Sequence, residues 1–132
     1  NVNILAPGEC VEVIYGLLAR RRGHILADTP LAGTPLYSLQ ALLPLLDSPG
    51  FEVDLRSMTA GAAMPHSTFS HWQAIPGDPL DVSIRAALLE PATPPALARD
   101  CLLKMRRRRG IGEDVKLDKY FDPEIMDLLM KQ

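Results

Sequence analysis

The chain has 132 residues, 47% hydrophobic and 23% charged, with a net charge of −2. That length holds one domain, or a domain of about 80 residues with an ordered tail. The composition excludes a disordered polyelectrolyte and supports a real core. No apolar run approaches the roughly 20 residues a membrane-spanning helix needs, and no signal peptide is visible. Aromatic residues make up only 5% of the chain, so the core is expected to rest on Leu, Ile, Val, Ala and Met. The basic residues are unevenly placed: residues 1–80 hold 4 Lys/Arg against 7 Asp/Glu, and 81–132 hold 10 against 9.

Taken in chain order, Val2 to Leu5 alternates like a half-buried strand from its first residues, as expected of a piece that begins inside a strand. Pro7-Gly8-Glu9 opens a helix in which Val11, Ile14, Tyr15 and Leu18 follow an i, i+3, i+4, i+7 stripe. Arg20, Arg21 and Arg22 are expected in its last turn, where cations complement the helix dipole, with Gly23 as the left-handed cap. His24 to Asp28 reads as a second strand. The loop Thr29–Pro35 carries two prolines and a glycine and turns the chain. Leu36 to Leu43 reads as a third strand, central because both its faces are largely apolar. Ser48-Pro49 has the form of an N-cap followed by proline at the first helical position, with Phe51, Leu55 and Met58 as the helical stripe, ending near Gly61. Met64 to Gln73 is expected as a fourth strand that includes Phe69 and Trp72.

The order βαββαβ predicts an α+β, ferredoxin-like domain: a four-stranded antiparallel sheet with two helices on one face. That leaves the other sheet face to be covered or partnered. The expected organisation is a domain over 1–80 and a proline-linked helical C-terminal extension over 81–132. In the extension, Pro76, Pro79, Pro91, Pro94 and Pro95 stiffen a connector. A helix from Pro95 to Arg109 follows, with Leu97, Cys101, Leu102 and Met105 on its apolar side, Arg99, Arg106 and Arg109 among its polar positions, and Gly110 as its end. Asp122-Pro123 starts a last short helix bearing Ile125, Leu128 and Leu129.

Catalytic signatures are missing from the motifs. Cys10 and Cys101 form no CxxC and suit a reducing compartment. His24, His66 and His71 match no metal-ligand spacing, so no metal is expected. There is no GxSxG nucleophile context and no GxxxxGK[ST] phosphate loop. Acylphosphatase activity would need an Arg in a cradle after the first strand, where Ala6-Pro7-Gly8-Glu9 offers an acid instead.

What remains are basic clusters. Arg20, Arg21, Arg22 and His24 either contact phosphate or carboxylate of a partner or simply form a solvated helix end. Lys104 to Arg109 packs five charges into about two helical turns. The cluster repels itself unless a polyanion or acidic surface lies nearby, which marks Arg106, Arg107, Arg108 and Arg109 as candidate partner contacts. Trp72 is read as packing beneath the loop that follows it. Pro76-Gly77-Asp78-Pro79 is read as a rigid turn at the exit of the fourth strand.

Four blocks then stand in order: Tyr15–His24 (YGLLARRRGH), Gly33–Tyr37 (GTPLY), Gly50–Arg56 (GFEVDLR), and His71-Trp72-Gln73 with Pro76–Leu80 (PGDPL). Together they resemble the closing domain of the translocase-type GTPases, the family of elongation factor G and elongation factor two. In the tail, Leu89-Glu90-Pro91, Leu97–Asp100, Arg106–Gly110, Glu113-Asp114-Val115 and Lys119–Asp122 resemble the spliceosomal branch of that family more than the translational one. Met64-Pro65-His66 and Pro49 depart from the pattern expected of that branch.

The resemblance implies a non-catalytic, nuclear interaction domain acting in pre-mRNA splicing. It implies contacts with the large scaffold protein of the U5 particle, other spliceosomal proteins, small nuclear RNA and the remaining domains of the parent GTPase. GTP and magnesium would bind in an upstream domain, and no cofactor is expected in this chain. The translational translocase, meeting the ribosome, is the second reading, and a stand-alone acylphosphatase-like enzyme the third.

Overall fold

The computed structural model describes residues 1–84, 92–115 and 122. The expected last helix, the Leu89-Glu90-Pro91 block and most of the Lys119–Asp122 block lie outside the described residues. The elements are β1 (Val2–Pro7), α1 (Val11–Arg20), β2 (His24–Pro30), β3 (Leu36–Leu42), α2 (Phe51–Met58), β4 (Met64–Ser67) and α3 (Leu97–Arg108), with short 3₁₀ turns at Gly8–Cys10, Leu45–Asp47 and Pro94–Ala96. The sheet order is β2-β3-β1-β4, with every pairing antiparallel. This is the expected α+β, ferredoxin-like arrangement, and β3 is indeed central.

Alternation along the strands sorts the two faces. Val2, Ile4 and Ala6 of β1, with Leu39 and Ala41 of β3, point to one side and meet Ile14, Leu17 and Leu18 of α1 and Phe51 and Leu55 of α2. All of these side chains are buried. The opposite side presents Asn3 and Leu5 of β1, paired across the sheet with Gln40 and Ser38 of β3. Leu5 there is 41% exposed, and no described element covers that face. The Tyr15 hydroxyl donates to Asp28 Oδ2 at 2.6 Å and ties α1 to the edge strand β2. That carboxylate raises the phenol's pKa, chiefly through the hydrogen bond.

Three boundaries differ from the sequence expectation. Only Arg20 lies inside α1, and Arg21 and Arg22 follow it. The left-handed residue that closes this helix is Arg22 (φ 57°), not Gly23. Arg22 N–H bonds Ala19 O, and Gly23 N–H bonds Leu18 O at 2.7 Å, the paired bonds of a Schellman ending. Gly23 is required for a steric reason, since a Cβ there would sit 3.0 Å from Leu18 Cδ2 and 3.1 Å from its carbonyl. The ending of α3 is as expected, with Gly110 (φ 68°) in the left-handed position.

Helix α2 starts at Phe51 after Gly50, and neither Ser48 nor Pro49 caps it. The Ser48 hydroxyl donates instead to Leu45 O at 2.8 Å, because the preceding 3₁₀ turn competes for it. Met58 is 49% exposed, and Thr59 holds the buried position at that end of the helix. The Thr59 hydroxyl donates to Leu55 O at 2.7 Å and accepts from Ala63 N–H.

Strand β4 stops at Ser67, which pairs with Val2. One further pair of bonds joins Asn1 and Thr68. Phe69 to Gln73, expected in the same strand, makes no ladder pairing among the described residues. Trp72 is 86% exposed and does not pack beneath a loop.

Gly16 lies inside α1 with open space around its missing Cβ. Gly16→Ala is expected to stabilise the domain by about 0.5–1 kcal/mol through helix propensity. Gly23→Ala is expected to destabilise it by about 1–3 kcal/mol through the clash with Leu18. Thermal denaturation of the two variants, followed by circular dichroism, reads the opposite signs.

Candidate interaction surface

The first basic cluster is divided by its backbone. Because α1 ends at Arg20, the next two side chains turn back over the 3₁₀ turn Leu45–Asp47 and the start of α2. Arg21 Nη1 donates to Asp47 O at 3.0 Å and Pro49 O at 2.9 Å, and Nη2 pairs with Asp54. The guanidinium also lies 6.0 Å from the Phe51 ring centroid. Arg22 Nε donates to Asp47 Oδ2 at 2.8 Å, and its Nη2 pairs with the same oxygen. Burial alone would lower the Arg22 pKa, but the Asp47 carboxylate outweighs it and the net shift is upward. Arg20 and His24 are exposed, and their side chains have no partner among the described residues.

The second cluster is likewise partly occupied. Arg106 Nε donates to Gly112 O at 2.7 Å, Arg107 pairs with Glu113, and Arg108 Nη1 donates to Leu46 O. The Glu113 pKa is lowered, mainly by the hydrogen bond from Arg107. Only Arg109 leaves its side chain without a partner among the described residues of this cluster, so of the two clusters Arg20, His24 and Arg109 remain facing outward.

What sequence reasoning missed is the carboxylate that joins the two clusters. Asp47, with a side chain 11% exposed, accepts from Arg22 through Oδ2 and faces Lys104 Nζ at 3.6 Å through Oδ1. Lys104 also meets Asp100 Oδ2 at 2.7 Å. Asp100 is 1% exposed, and its Oδ1 finds no hydrogen-bond donor among the described residues. Arg22 Nη2 reaches Cys101 Sγ at 3.8 Å, and burial raises the Cys101 thiol pKa. The i, i+4 spacing of Asp100 and Lys104 is legible in sequence, but the long-range pairing with Asp47 is not.

This network docks α3 onto the sheet domain, and a second contact completes the docking. Pro76-Gly77-Asp78-Pro79 forms a turn as expected, but it lies against the start of α3 and not at the exit of β4. Gly77 (φ 103°) passes so close that a Cβ would fall 2.3 Å from Pro95 O. Ala98 N–H donates to Pro76 O at 3.2 Å. Asp78 Oδ1 accepts from Leu80 N–H at 2.9 Å and holds the turn. Arg99, expected on the polar side of α3, is 9% exposed and donates to Pro79 O at 3.1 Å. Leu103 is buried and Met105 is 44% exposed, because α3 is enclosed from two sides and not along one stripe. Between helix and turn lies an open apolar groove of about 340 Å³, lined by Ile75, Gly77, Pro79, Ala98, Cys101, Leu102 and Met105.

The remaining exposed feature is aromatic. Phe69 and Trp72 stand 74% and 86% exposed with ring centroids 5.6 Å apart. Among the described residues no group of three or more His, Cys, Asp or Glu side chains could hold a metal ion. No described helix is long and apolar enough to cross a membrane. The geometry offers surfaces for contact: an uncovered sheet face, an aromatic pair, an apolar groove and the outward-facing Arg20, His24 and Arg109.

Residues 1–83 match the family described as elongation factor G C-terminus. The chain belongs to that family. It is 54% identical over 128 residues to pre-mRNA-splicing factor cwf10 of Schizosaccharomyces pombe, covering 97% of this chain and 13% of that protein. It is 49% identical over 131 residues to the 110 kDa U5 small nuclear ribonucleoprotein component CLO of Arabidopsis thaliana, covering 99% of this chain and 13% of that protein. The 109 kDa U5 component GFL of the same plant is 48% identical over 131 residues, covering 99% of this chain and 14% of that protein. This elongation factor G C-terminal domain thus spans about an eighth of the curated relatives it matches, and the likeness runs through the tail beyond the family match.

Removing one member of a buried ionic network leaves the others uncompensated. Asp47→Ala is therefore expected to cost about 3 kcal/mol in chemical denaturation, while Arg20→Glu stays within about 0.5 kcal/mol. Cys101 is 4% exposed and Cys10 is partly exposed, so iodoacetamide should alkylate Cys10 first. In Asp47→Ala the Cys101 rate should rise, as mass spectrometry of timed aliquots will show. An unchanged rate would mean that Asp47 does not hold α3 in place.

Proposed function

We propose that this chain is a non-catalytic interaction domain of a spliceosomal GTPase acting in pre-mRNA splicing. Its role is to dock on the large scaffold protein of the U5 particle within the nucleus. The observation that carries this reading is the identity of 48–54% to a splicing factor and two U5 components, sustained over 97–99% of the chain. A likeness confined to the family domain would suit a ribosomal translocase equally well. This one extends through α3 and the residues after it, where the sequence itself leaned toward the spliceosomal branch.

The architecture suits the role. Residues 1–80 supply the family domain, and 81–132 form an extension whose helix α3 is bound to that domain through Asp47 and the Pro76–Pro79 turn. GTP and magnesium belong to an upstream domain of the parent protein. The residues here do not fit a nucleotide–metal site, since the sequence lacks a GxxxxGK[ST] loop. Protein is favoured over RNA as the main contact, because five of the seven clustered arginines proposed as partner contacts (Arg21, Arg22, Arg106, Arg107 and Arg108) are engaged within the chain. Small nuclear RNA then meets only Arg20, His24 and Arg109, beside contacts to other spliceosomal proteins and to the parent's own domains.

The test is to tag the full-length parent protein at its own locus and recover its complexes from cell extract. U5 small nuclear RNA and the scaffold protein should co-purify in stoichiometric amounts. Recovery of ribosomal RNA in their place would transfer the domain to translation.

A further inference from the structure

We propose that Ser48 is a phosphorylation site for a proline-directed protein kinase, and that Arg21 and Arg108 receive its phosphate. The proposal concerns a modification of this chain and is independent of the partner on which the domain docks.

Ser48-Pro49 has the sequence of a helix cap, yet α2 starts at Phe51 without a side-chain cap. The Ser48 hydroxyl donates to Leu45 O at 2.8 Å, within its own 3₁₀ turn. A Ser-Pro step in an accessible, easily opened turn is what a proline-directed kinase requires. Ser48 is partly exposed, and Leu45, Pro49 and Gly50 around it are exposed. The turn backbone is closed by Asp47 N–H to Pro44 O at 3.0 Å and Ser48 N–H to Leu45 O at 3.3 Å. Two bonds of this i+3 kind open locally at small cost.

The surroundings of Ser48 are cationic. Three carbonyls beside it accept from arginines: Leu46 O from Arg108 Nη1, and Asp47 O and Pro49 O from Arg21 Nη1 at 3.0 and 2.9 Å. Arg22 and Lys104 stand on the adjoining Asp47. A phosphoserine brings a charge of about −1.5 to −2 and three acceptor oxygens, which neighbouring carboxylates would repel. The balance of charge therefore decides. Arg21, Arg22, Lys104 and Arg108 supply four cations against the three carboxylates Asp47, Asp54 and Asp100. One positive charge is left over, and the acceptors beside Ser48 are neutral carbonyls. Replacing these with phosphate oxygens gives charge-assisted bonds, roughly twice as strong as neutral ones.

In the reaction, Ser48 Oγ bonds to the γ-phosphorus of ATP and the bond from that phosphorus to ADP breaks. The hydroxyl proton passes to the base of the kinase. Ser48 then has no hydrogen to donate to Leu45 O, and its side chain is free to turn toward Arg21 and Arg108. Arg108 belongs to α3, so the phosphate adds a tether between α3 and the sheet domain beside the one at Asp47.

The full-length parent protein, incubated in its native state with a proline-directed kinase and ATP, should take up phosphate at Ser48, located by tandem mass spectrometry. Hydrogen exchange then reads the tether. Amides of residues 97–108 should exchange about tenfold more slowly in the phosphorylated parent than in a Ser48→Ala parent treated identically, the scale of one charge-assisted bond. An Arg108→Gln parent should accept the phosphate at Ser48 and show no such slowing when compared with its own unmodified form.

A native parent that takes up no phosphate at Ser48, or does so only after denaturation, would overturn the site. Phosphate at Ser48 with exchange in α3 unchanged or faster would overturn the tether. Slowing that persists undiminished in Arg108→Gln would remove Arg108 as the receiving group and overturn the assignment.

Discussion

The arrangement of this domain depends on one partly buried carboxylate. Asp47 sits in a 3₁₀ turn between β3 and α2, receives Arg22 from the end of α1, and faces Lys104 from α3. Two cations from distant parts of the chain converge on it; without it Arg22 would lose its carboxylate partner, while Lys104 would keep Asp100. The convergence explains why the chain tolerates a left-handed Arg22, a backbone state that non-glycine residues seldom adopt. The strain at Arg22 directs its guanidinium onto Asp47 and, beyond it, toward Cys101.

That carboxylate also changes the meaning of the basic clusters. Runs of arginine invite a polyanion because like charges repel. Here the repulsion is relieved largely from within, by Asp47, Asp54, Glu113 and several backbone carbonyls. Arg22 and Arg108 bridge α3 and the sheet domain, Arg21 ties the end of α1 to the start of α2, and Arg106 and Arg107 hold the residues that follow α3. Arg20, His24 and Arg109 retain the outward character that the sequence suggested for all of them. The tail helix is part of the same packed body as the sheet, held at one end by Asp47 and at the other by the turn at Gly77.

Functional surface then shifts from charge to apolar groups. The uncovered sheet face, the Phe69–Trp72 pair and the groove beside α3 are what the folded domain offers to a neighbour. The relatives are described as a splicing factor and as components of a ribonucleoprotein.

The sequence by itself determined the architecture and the family. The stripe Val11–Leu18, the alternation in β1 and β3 and the order of elements specify a ferredoxin-like sheet, because local periodicity decides which side of each element meets the core. The four ordered blocks identified the elongation factor G relationship, and the tail the spliceosomal branch. Only the tertiary structure decided what the charged and aromatic residues do. Whether Arg22 meets solvent or Asp47 depends on residues 25 positions apart in the chain. Where α3 docks depends on Asp47 and on the turn at Gly77, both far from it in the chain. Such outcomes follow from long-range geometry, which no local pattern encodes.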